Sequence, residues 1–215
     1  ELHLRHNGCG DAGVAALAAA IAEAAVLGRE NRRGGDGGGG SLGDRRYATH
    51  CPHTLRLGFN GITSTGAAAL AAALVAVREA VFASGQSAAA DAATVTELDL
   101  ACNSLGAEGA RAIADAAQGV EVLDLGSNNL TNAGAKWVAR ALKDNTTLRR
   151  LSLAGNDIGG DGAWWIADAL AVNCELRALD LGSNQVGDAG ARDIAEELRG
   201  NTALLTLDLR RNGIG

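Results

Sequence analysis

The chain has 215 residues, of which 47% are apolar, enough to bury the core of one domain or of a modest repeat array. Its 19 Lys and Arg against 25 Asp and Glu give a net charge of −6, which argues against nucleic acid and anionic membranes as partners. With 30 glycines, one proline, two Phe, one Tyr and three Trp, the interior must consist mainly of Ala and Leu. Apolar stretches such as 12–22 are broken by charges such as Glu23, and none approaches the roughly 20 uncharged residues of a membrane span.

A six-residue phrase, Leu-x-Leu-x-x-Asn, recurs along the chain, first at Leu2 and last at Leu207. The last four copies follow one another at intervals of 28 residues, whereas the earlier intervals are 53, 43 and 25 residues. Two insertions in a repetitive array account for the long intervals. The asparagines that end the phrase are Asn7, Asn60, Asn103, Asn128, Asn156, Asn184 and Asn212.

The residues after each asparagine repeat as well. An aliphatic residue and usually a glycine come first, as at Val186-Gly187, and Gly190-Ala191 then opens a longer run. In such runs the apolar residues recur at i, i+3, i+4 and i+7, which is one face of an amphipathic helix. Each unit therefore predicts a strand, a turn and a helix.

Stacking of these units predicts an α/β fold, a right-handed strand–helix solenoid. Parallel strands lie about 4.8 Å apart and packed helices about 8–10 Å apart, so the array bends into a horseshoe with the parallel sheet on its concave face and the helices on its convex face. The leucines point into the core and the residue between them points onto the concave face. Because an asparagine amide both donates and accepts, the seven asparagines are expected to bond backbone groups of neighbouring turns as a structural ladder.

We predict a single domain of about seven repeats. They cover 1–28, 52–80, 95–119, 120–147, 148–175, 176–203 and an incomplete 204–215, with insertions at 29–51 and 81–94. Neither end has the polar capping unit that a solenoid needs, so we expect an excerpt of a longer chain. Cys9 and Pro52 replace aliphatic positions of the pattern in the first two units, and we expect these units to be the least stable.

Two patterns in and directly after the first insertion resemble ligand sites. Gly37 to Ser41 invites a phosphate-loop interpretation, but the Lys-Ser/Thr pair of such loops and a preceding strand are absent. His50, Cys51 and His53 are of metal-ligand type, but a fourth ligand at a suitable spacing is missing. We favour ordinary residues leading into the second strand, and predict no metal site and no cofactor.

Charges of both signs are predicted along the concave face. The aspartates between the strand leucines resemble a catalytic row, but on an open face about 4.8 Å apart or more they fit solvated surface better, or recognition of a basic partner. A mixed mosaic suits a protein partner better than a polyanion, although Arg150 could instead simply neutralise Asp124. The candidate partner-binding residues are Glu97, Asp99, Asp124, Arg149, Arg150, Arg177, Asp180, Asp208 and Arg210.

The three tryptophans lie on two adjacent predicted helices. At about 100° per residue, Trp137 and Trp165 point away from the core stripe and Trp164 lies on its flank. We predict a second, convex contact surface there, used for self-association or for another domain. The alternative is that each indole lies flat on its helix and covers alanines.

The full pattern, L-x-x-L-x-L-x-x-N-x-(I/L/V)-G-x-x-G-A with its 28-residue period, resembles the ribonuclease-inhibitor-like class of leucine-rich repeats. That class includes inhibitors, the sensing regions of NOD-like receptors and the activating protein of the Ran GTPase, all of which bind other proteins. The resemblance implies a non-enzymatic interaction module or scaffold that holds another protein on its concave face. The alternatives are a GTPase-activating protein resembling the Ran activator and the sensing region of a NOD-like receptor.

The expected location is cytoplasmic. The four cysteines stand far apart and form no C-x-x-C pair, which indicates a reducing environment. Proteins of the class that the chain resembles are mostly intracellular, which agrees with this expectation.

Overall fold

The computed structural model describes residues 1–33, 52–82 and 95–215. Within these ranges, seven short strands alternate with six helices. The strands are β1 (Leu2–His3), β2 (Thr54–Arg56), β3 (Glu97–Asp99), β4 (Val122–Asp124), β5 (Arg150–Ser152), β6 (Ala178–Asp180) and β7 (Thr206–Asp208). The helices are α1 (Gly10–Arg33), α2 (Ser64–Phe82), α3 (Gly106–Ala116), α4 (Thr131–Asp144), α5 (Gly160–Leu170) and α6 (Gly187–Glu197).

The strands form one parallel sheet in chain order, from β1 to β7. The register never slips, because the first leucine of each phrase pairs with its equivalent in the next strand, as Leu98 does with Leu123 and Leu151 with Leu179. Each helix packs against the helix before and the helix after it in the chain. The predicted strand–helix solenoid is confirmed.

Two columns of leucine form the core beneath the sheet. In strands β2 to β6 the first leucine of each phrase is at most 2% exposed, and the second leucine is fully buried. Full burial of one such side chain contributes about 1.5–3 kcal/mol, so the columns are a large stabilising contribution. Small and aliphatic helix residues such as Ala135, Val138 and Ile166 pack against them from the other side.

The chain leaves each strand through a residue in the left-handed conformation. The residue directly before the repeat asparagine has φ between 55° and 65° in all seven units, and in one unit it is a glycine, Gly155. In the other units a side chain adopts this conformation at a cost of roughly 1–2 kcal/mol. The turn is therefore held by other contacts, and the asparagines provide them.

Asn156 illustrates the asparagine ladder. Its Oδ1 accepts the backbone N–H of Asn128 at 2.8 Å, and its Nδ2 donates to the carbonyls of Leu125 at 2.9 Å and Leu153 at 3.0 Å. Equivalent bonds join the other buried asparagines to the preceding unit. The exposed Asn7 takes part through its backbone N–H, which donates to Asn60 Oδ1 at 3.0 Å, while its side-chain Nδ2 donates to the carbonyl of Arg5 at 3.2 Å. The ladder thus ties each turn to the unit before it and satisfies backbone groups that burial removes from water.

Two helices extend past the predicted repeat boundaries. Helix α1 continues to Arg33 and α2 to Phe82, so both predicted insertions begin within helices.

Helix α2 has the length and composition of a membrane span. Its segment Ser64–Val81 has a mean hydropathy of 1.4 over 18 residues. The expectation that no segment of the chain is long and apolar enough to span a membrane therefore does not hold for this helix. The helix packs between α1 and α3, and Leu70, Leu74 and Val77 lie in the core. These contacts are those of a core helix, and they make the hydropathy weak support for a span.

Candidate functional site

Two columns of side chains line the concave face, because the strands share one register. The first strand residues give the column Thr54, Glu97, Val122, Arg150, Ala178 and Thr206, and the third strand residues give Arg56, Asp99, Asp124, Ser152, Asp180 and Asp208. Neighbours within a column are about 4.8 Å apart. We call the column of third strand residues the third column. It places carboxylates side by side, as the sequence predicted.

Each aspartate of the third column bonds its own backbone. Oδ1 accepts the N–H two residues further on, from Ala101 at 3.0 Å, Gly126 at 2.9 Å, Gly182 at 2.8 Å and Arg210 at 2.9 Å. One carboxylate oxygen thus closes the end of the strand, a role that the sequence interpretation did not include. Aspartate is suited to this bond because its short side chain reaches the backbone of residue i+2.

Asp99 forms an ion pair with an arginine two repeats away. Arg5 Nε donates to Asp99 Oδ2 at 2.6 Å, and this bond raises the pKa of Arg5. The arginine passes over Gly58 on the intervening strand unit, where a Cβ atom would lie 3.1 Å from Arg5 Nε and 3.1 Å from the Ala101 carbonyl. The absent side chain at Gly58 therefore makes room for the contact.

Five more of the predicted concave residues have partners within the chain. Arg56 pairs with Glu97 at 3.2 Å, Arg149 pairs with Glu175, and Arg210 Nε donates to Asp208 Oδ2 at 2.9 Å. Arg177 donates to the Ala203 carbonyl at 3.0 Å. The Arg210 pair lowers the pKa of Asp208 and raises that of Arg210.

Three of the predicted concave residues, Asp124, Arg150 and Asp180, form no ion pair within residues 1–33, 52–82 and 95–215. Burial raises the pKa of Asp124, and the charge of Asp99 beside it acts in the same direction. Arg150 is exposed on the adjoining strand β5. These three residues, with Ser152 between the two aspartates, form what we call the central concave cluster.

An aromatic pair lies at the rim where the strands end. The rings of His6 and Phe59 stack with centroids 4.1 Å apart and planes 20° from parallel, and Phe59 is 43% exposed. Both residues occupy the left-handed position before a repeat asparagine. This pair was not predicted from the sequence, although the shared position of the two residues in the repeated phrase places them side by side.

A second asparagine ladder was also not predicted. Asn145, Asn173 and Asn201 follow one another at 28-residue intervals, each after the end of a helix. Nδ2 of Asn173 donates to the carbonyls of Leu142 at 2.7 Å and Asn145 at 3.0 Å, and its Oδ1 accepts the N–H of Leu176 at 2.8 Å. The repeated Asn-x-x-Leu sequence before each strand is the signal that would have revealed it.

The convex tryptophans differ from the predicted arrangement. Trp164 is the exposed indole, at 47%, whereas Trp165 is half-buried against the core. The predicted helical phase is wrong for Trp165 because Gly162 and Ala169 also face inward, which turns the centre of the core stripe toward Trp165 and away from Trp164. Trp137 is half-buried as well.

Cations from the helices cover the two half-buried indoles. Arg111 Cζ lies 4.4 Å and Arg140 Cζ 5.8 Å from the ring centre of Trp137. Lys136 Nζ lies 4.6 Å from that of Trp165. The first and third of these contacts bridge neighbouring helices, so they join α3 to α4 and α4 to α5.

The described residues hold no group of three His, Cys, Asp or Glu that could bind a metal ion. His50, Cys51 and Gly37 to Ser41 lie outside the described residues. His53 is exposed, and its carbonyl accepts the N–H groups of Thr96 at 2.8 Å and Glu97 at 2.9 Å.

Comparisons with known proteins bear on the repeats. A solved chain described as Leiomodin-1 Actin-Binding Site 2 (ABS2) is similar to this chain, with 29% identity and a TM-score of 0.44 over 48% of this chain and 62% of that chain. This chain therefore spans about three fifths of that structure's length. A search of curated proteins finds no match. The Leucine Rich repeat family profile matches residues 1–18, 53–71, 92–114, 120–139, 144–163, 172–195 and 200–215. Because these matches take in more than half of the sequence, the chain belongs to the leucine-rich repeat family.

Proposed function

We propose that this chain is a protein-binding module and that its partner protein lies on the concave face. Leucine-rich repeats serve in general as protein-interaction modules, and the side chains between the strand leucines form one continuous surface. The observation that carries the proposal is the central concave cluster. It presents charged groups without an ion-pair partner among the described residues, at the middle of a face whose other charges are mostly in ion pairs.

The chemistry of the partner follows from this cluster. Asp124 and Asp180 are two strand spacings apart, about 10 Å, and Arg150 lies on the strand between them. A polyanion would meet the two carboxylates, whereas a protein surface that carries both basic and acidic side chains can satisfy all three groups. The rim pair of His6 and Phe59 offers an apolar contact beside the charges, an arrangement common at protein interfaces.

The finer class and the location are part of the proposal. The 28-residue period of the last four units supports the ribonuclease-inhibitor-like class, and binding rather than catalysis is its expected mode of action. Cys9, Cys102 and Cys174 are free thiols, which supports a reducing, cytoplasmic setting. Cys51 lies outside the described residues.

Site-specific photo-crosslinking tests which face holds the partner. A photoreactive amino acid at Ser152, on β5, should form a covalent adduct with the partner, because this position is at the centre of the concave cluster. The same amino acid at Ala133, exposed on α4, is the control and should give no adduct with that protein.

Two neighbouring arginines provide a matched test of the charges. Arg150→Ala should weaken binding of the crosslinked partner by about tenfold, since it removes an unpaired interface charge. Arg149→Ala should have a smaller effect, because Arg149 is already paired with Glu175. Two outcomes would contradict binding on the concave face. One is adducts from the convex control alone, and the other is unchanged affinity of the folded Arg150→Ala protein.

A further inference from the structure

A groove lies between helices α2 and α3, on the opposite side of the repeats from the concave face. Its volume is about 380 Å³, which is within the usual range of ligand pockets. One alanine from each helix lines it, and the remaining lining residues are polar or charged. The lining residues are Ser64, Thr65 and Ala68 of α2 and Glu108, Arg111, Ala112 and Asp115 of α3.

The next two helix boundaries show what Ala112 replaces. Counted from the buried glycine of the first helical turn, Ala112 on α3 has the same position as Trp137 on α4 and Trp165 on α5. Both indoles are half-buried, and each is covered by a cation of the preceding helix. At the boundary of α2 and α3, a methyl group therefore stands where the next two boundaries have an indole.

The covering cation is replaced as well. Ala68 on α2 has the same helical position as Arg111 on α3 and Lys136 on α4, the two residues that cover the indoles. Arg111 both lines the groove and lies 4.4 Å from the ring centre of Trp137. Because a planar guanidinium stacks on aromatic rings and has two faces, a ring placed in the groove would extend this stack.

The charges around the groove favour a cation beside such a ring. Glu108 Oε2 lies 3.8 Å from Arg111 Nη1, and Asp115 Oδ2 lies 4.0 Å from Arg111 Nε, so both pairs are longer than a hydrogen bond. The two acidic side chains are 72% and 63% exposed, and ion pairs of this kind contribute little to stability. Two carboxylates against one guanidinium leave the lining of the groove with a net negative charge.

We propose that the groove between α2 and α3 is a second binding site, which holds an aromatic side chain of a partner protein with a Lys or Arg next to it. The ring lies over Ala112, in the place that an indole of this chain occupies at the next two boundaries. The neighbouring cation lies against Glu108 and Asp115. Exposed alanines alone would not identify an occupant, but the repeat does so because it fills the equivalent position with an indole twice.

Three capped dipeptides test this chemistry by NMR titration of the protein. N-acetyl-Trp-Lys-amide should shift the amide signals of Ala68 and Ala112 in a saturable way. N-acetyl-Trp-Ala-amide should bind about two- to fivefold more weakly, which is the effect of one exposed ion pair. N-acetyl-Ala-Lys-amide should give no saturable shift. Glu108→Gln combined with Asp115→Asn should remove the difference between the two tryptophan peptides.

Filling the groove gives the decisive result. Ala112→Trp adds the indole that α4 and α5 carry, and should weaken binding of N-acetyl-Trp-Lys-amide by about tenfold or more. Ala68→Trp fills the groove from an exposed position of α2 and decides the matter should the first variant unfold. Ala133→Trp, exposed on α4 and outside the groove, is the control and should bind like the unaltered protein.

Four outcomes would overturn the proposal. They are the absence of saturable shifts with N-acetyl-Trp-Lys-amide, shifts that lie elsewhere than the groove, unchanged binding by a folded protein whose groove is filled, and equal binding of N-acetyl-Ala-Lys-amide. The crosslinks on the concave face do not depend on this result, so the two binding surfaces are tested separately.

Discussion

Asp124 lies between Asp99 and Ser152 in the third concave column and has no ion-pair partner among the described residues. Arg5, the nearby cation, donates to Asp99 instead. Burial therefore determines the direction of the Asp124 pKa, which is raised, and the N–H of Gly126 opposes the shift only in part. Burial therefore disfavours the charged carboxylate of Asp124, and the fold accommodates the neutral, protonated carboxyl more easily.

Asp124→Asn should raise the free energy of unfolding at pH 7. A carboxyl whose pKa is higher in the folded state contributes stability below its unfolded pKa and loses that contribution as the pH rises through the folded value. Asparagine keeps the acceptor for Gly126 but carries no charge. Urea unfolding should show a gain at pH 7 that shrinks as the pH falls toward 3.8, the ordinary value for aspartate.

Asp208→Asn is the control for this pH effect. Arg210 lowers the pKa of Asp208, so the charged form stabilises the fold and its removal should produce no gain at pH 7. A gain from Asp124→Asn of the same size at both pH values would show that packing, and not the charge, is responsible.

At the scale of the elements, glycines in the first helical turn determine how closely neighbouring helices approach. On α5, a Cβ atom at Gly162 would lie 2.6 Å from Ile158 Cγ2 and 2.7 Å from Asn132 Oδ1. That same Asn132 oxygen accepts the N–H of Gly159 at 2.7 Å, so it is not free to move away. Gly109, Gly134 and Gly190 occupy equivalent, crowded positions on α3, α4 and α6.

Gly162→Ala should therefore destabilise the protein by about 1–3 kcal/mol, the usual range for overpacking a close contact. Helix propensity alone would predict the opposite sign, a gain of about 1 kcal/mol. Gly160→Ala in the same helix is the matched control, because the nearest atom to its Cβ would be 3.5 Å away, and this variant should be neutral or slightly stabilising. Equal unfolding midpoints for the two variants in guanidinium would contradict the packing argument.

The same elements show what the sequence can and cannot predict. Strands, helices and the asparagine ladder follow from local periodicity, because every unit repeats the same pattern. The pairing of Arg5 with Asp99 joins residues 94 positions apart and depends on a glycine at the intervening unit, so no local pattern contains it. The assignment of Trp165 was wrong because the predicted core stripe omitted the inward-facing Gly162 and Ala169.

At the scale of the whole molecule, each unit is held only by its neighbours, as in any solenoid. The units at the two ends of the sheet are less packed than the central ones. Strand β1 has two residues, and only Gly190 and Ile194 are buried on α6, whereas six residues are buried on α5. In a protein that consists of residues 1–215 alone, local opening is therefore expected to begin at β1 and α6.

Hydrogen exchange can test whether the first two units are the least stable. The amides of Leu57 and Leu153 make the same bond to the next strand, at 2.7 Å to the carbonyl of Asp99 and 2.8 Å to that of Asp180, so a difference in their exchange reflects the stability of their units.

We expect faster exchange across Leu55–Leu57 than across Leu151–Leu153. The second unit lies between the two insertions, Pro52 precedes its strand, and within the described residues its strand neighbour toward the N-terminus is the two-residue β1. When β1 opens, β2 becomes an edge strand, whereas β5 still has three-residue strands on both sides. Equal protection of the two segments would mean that the array opens as one cooperative unit and that the insertions do not weaken it.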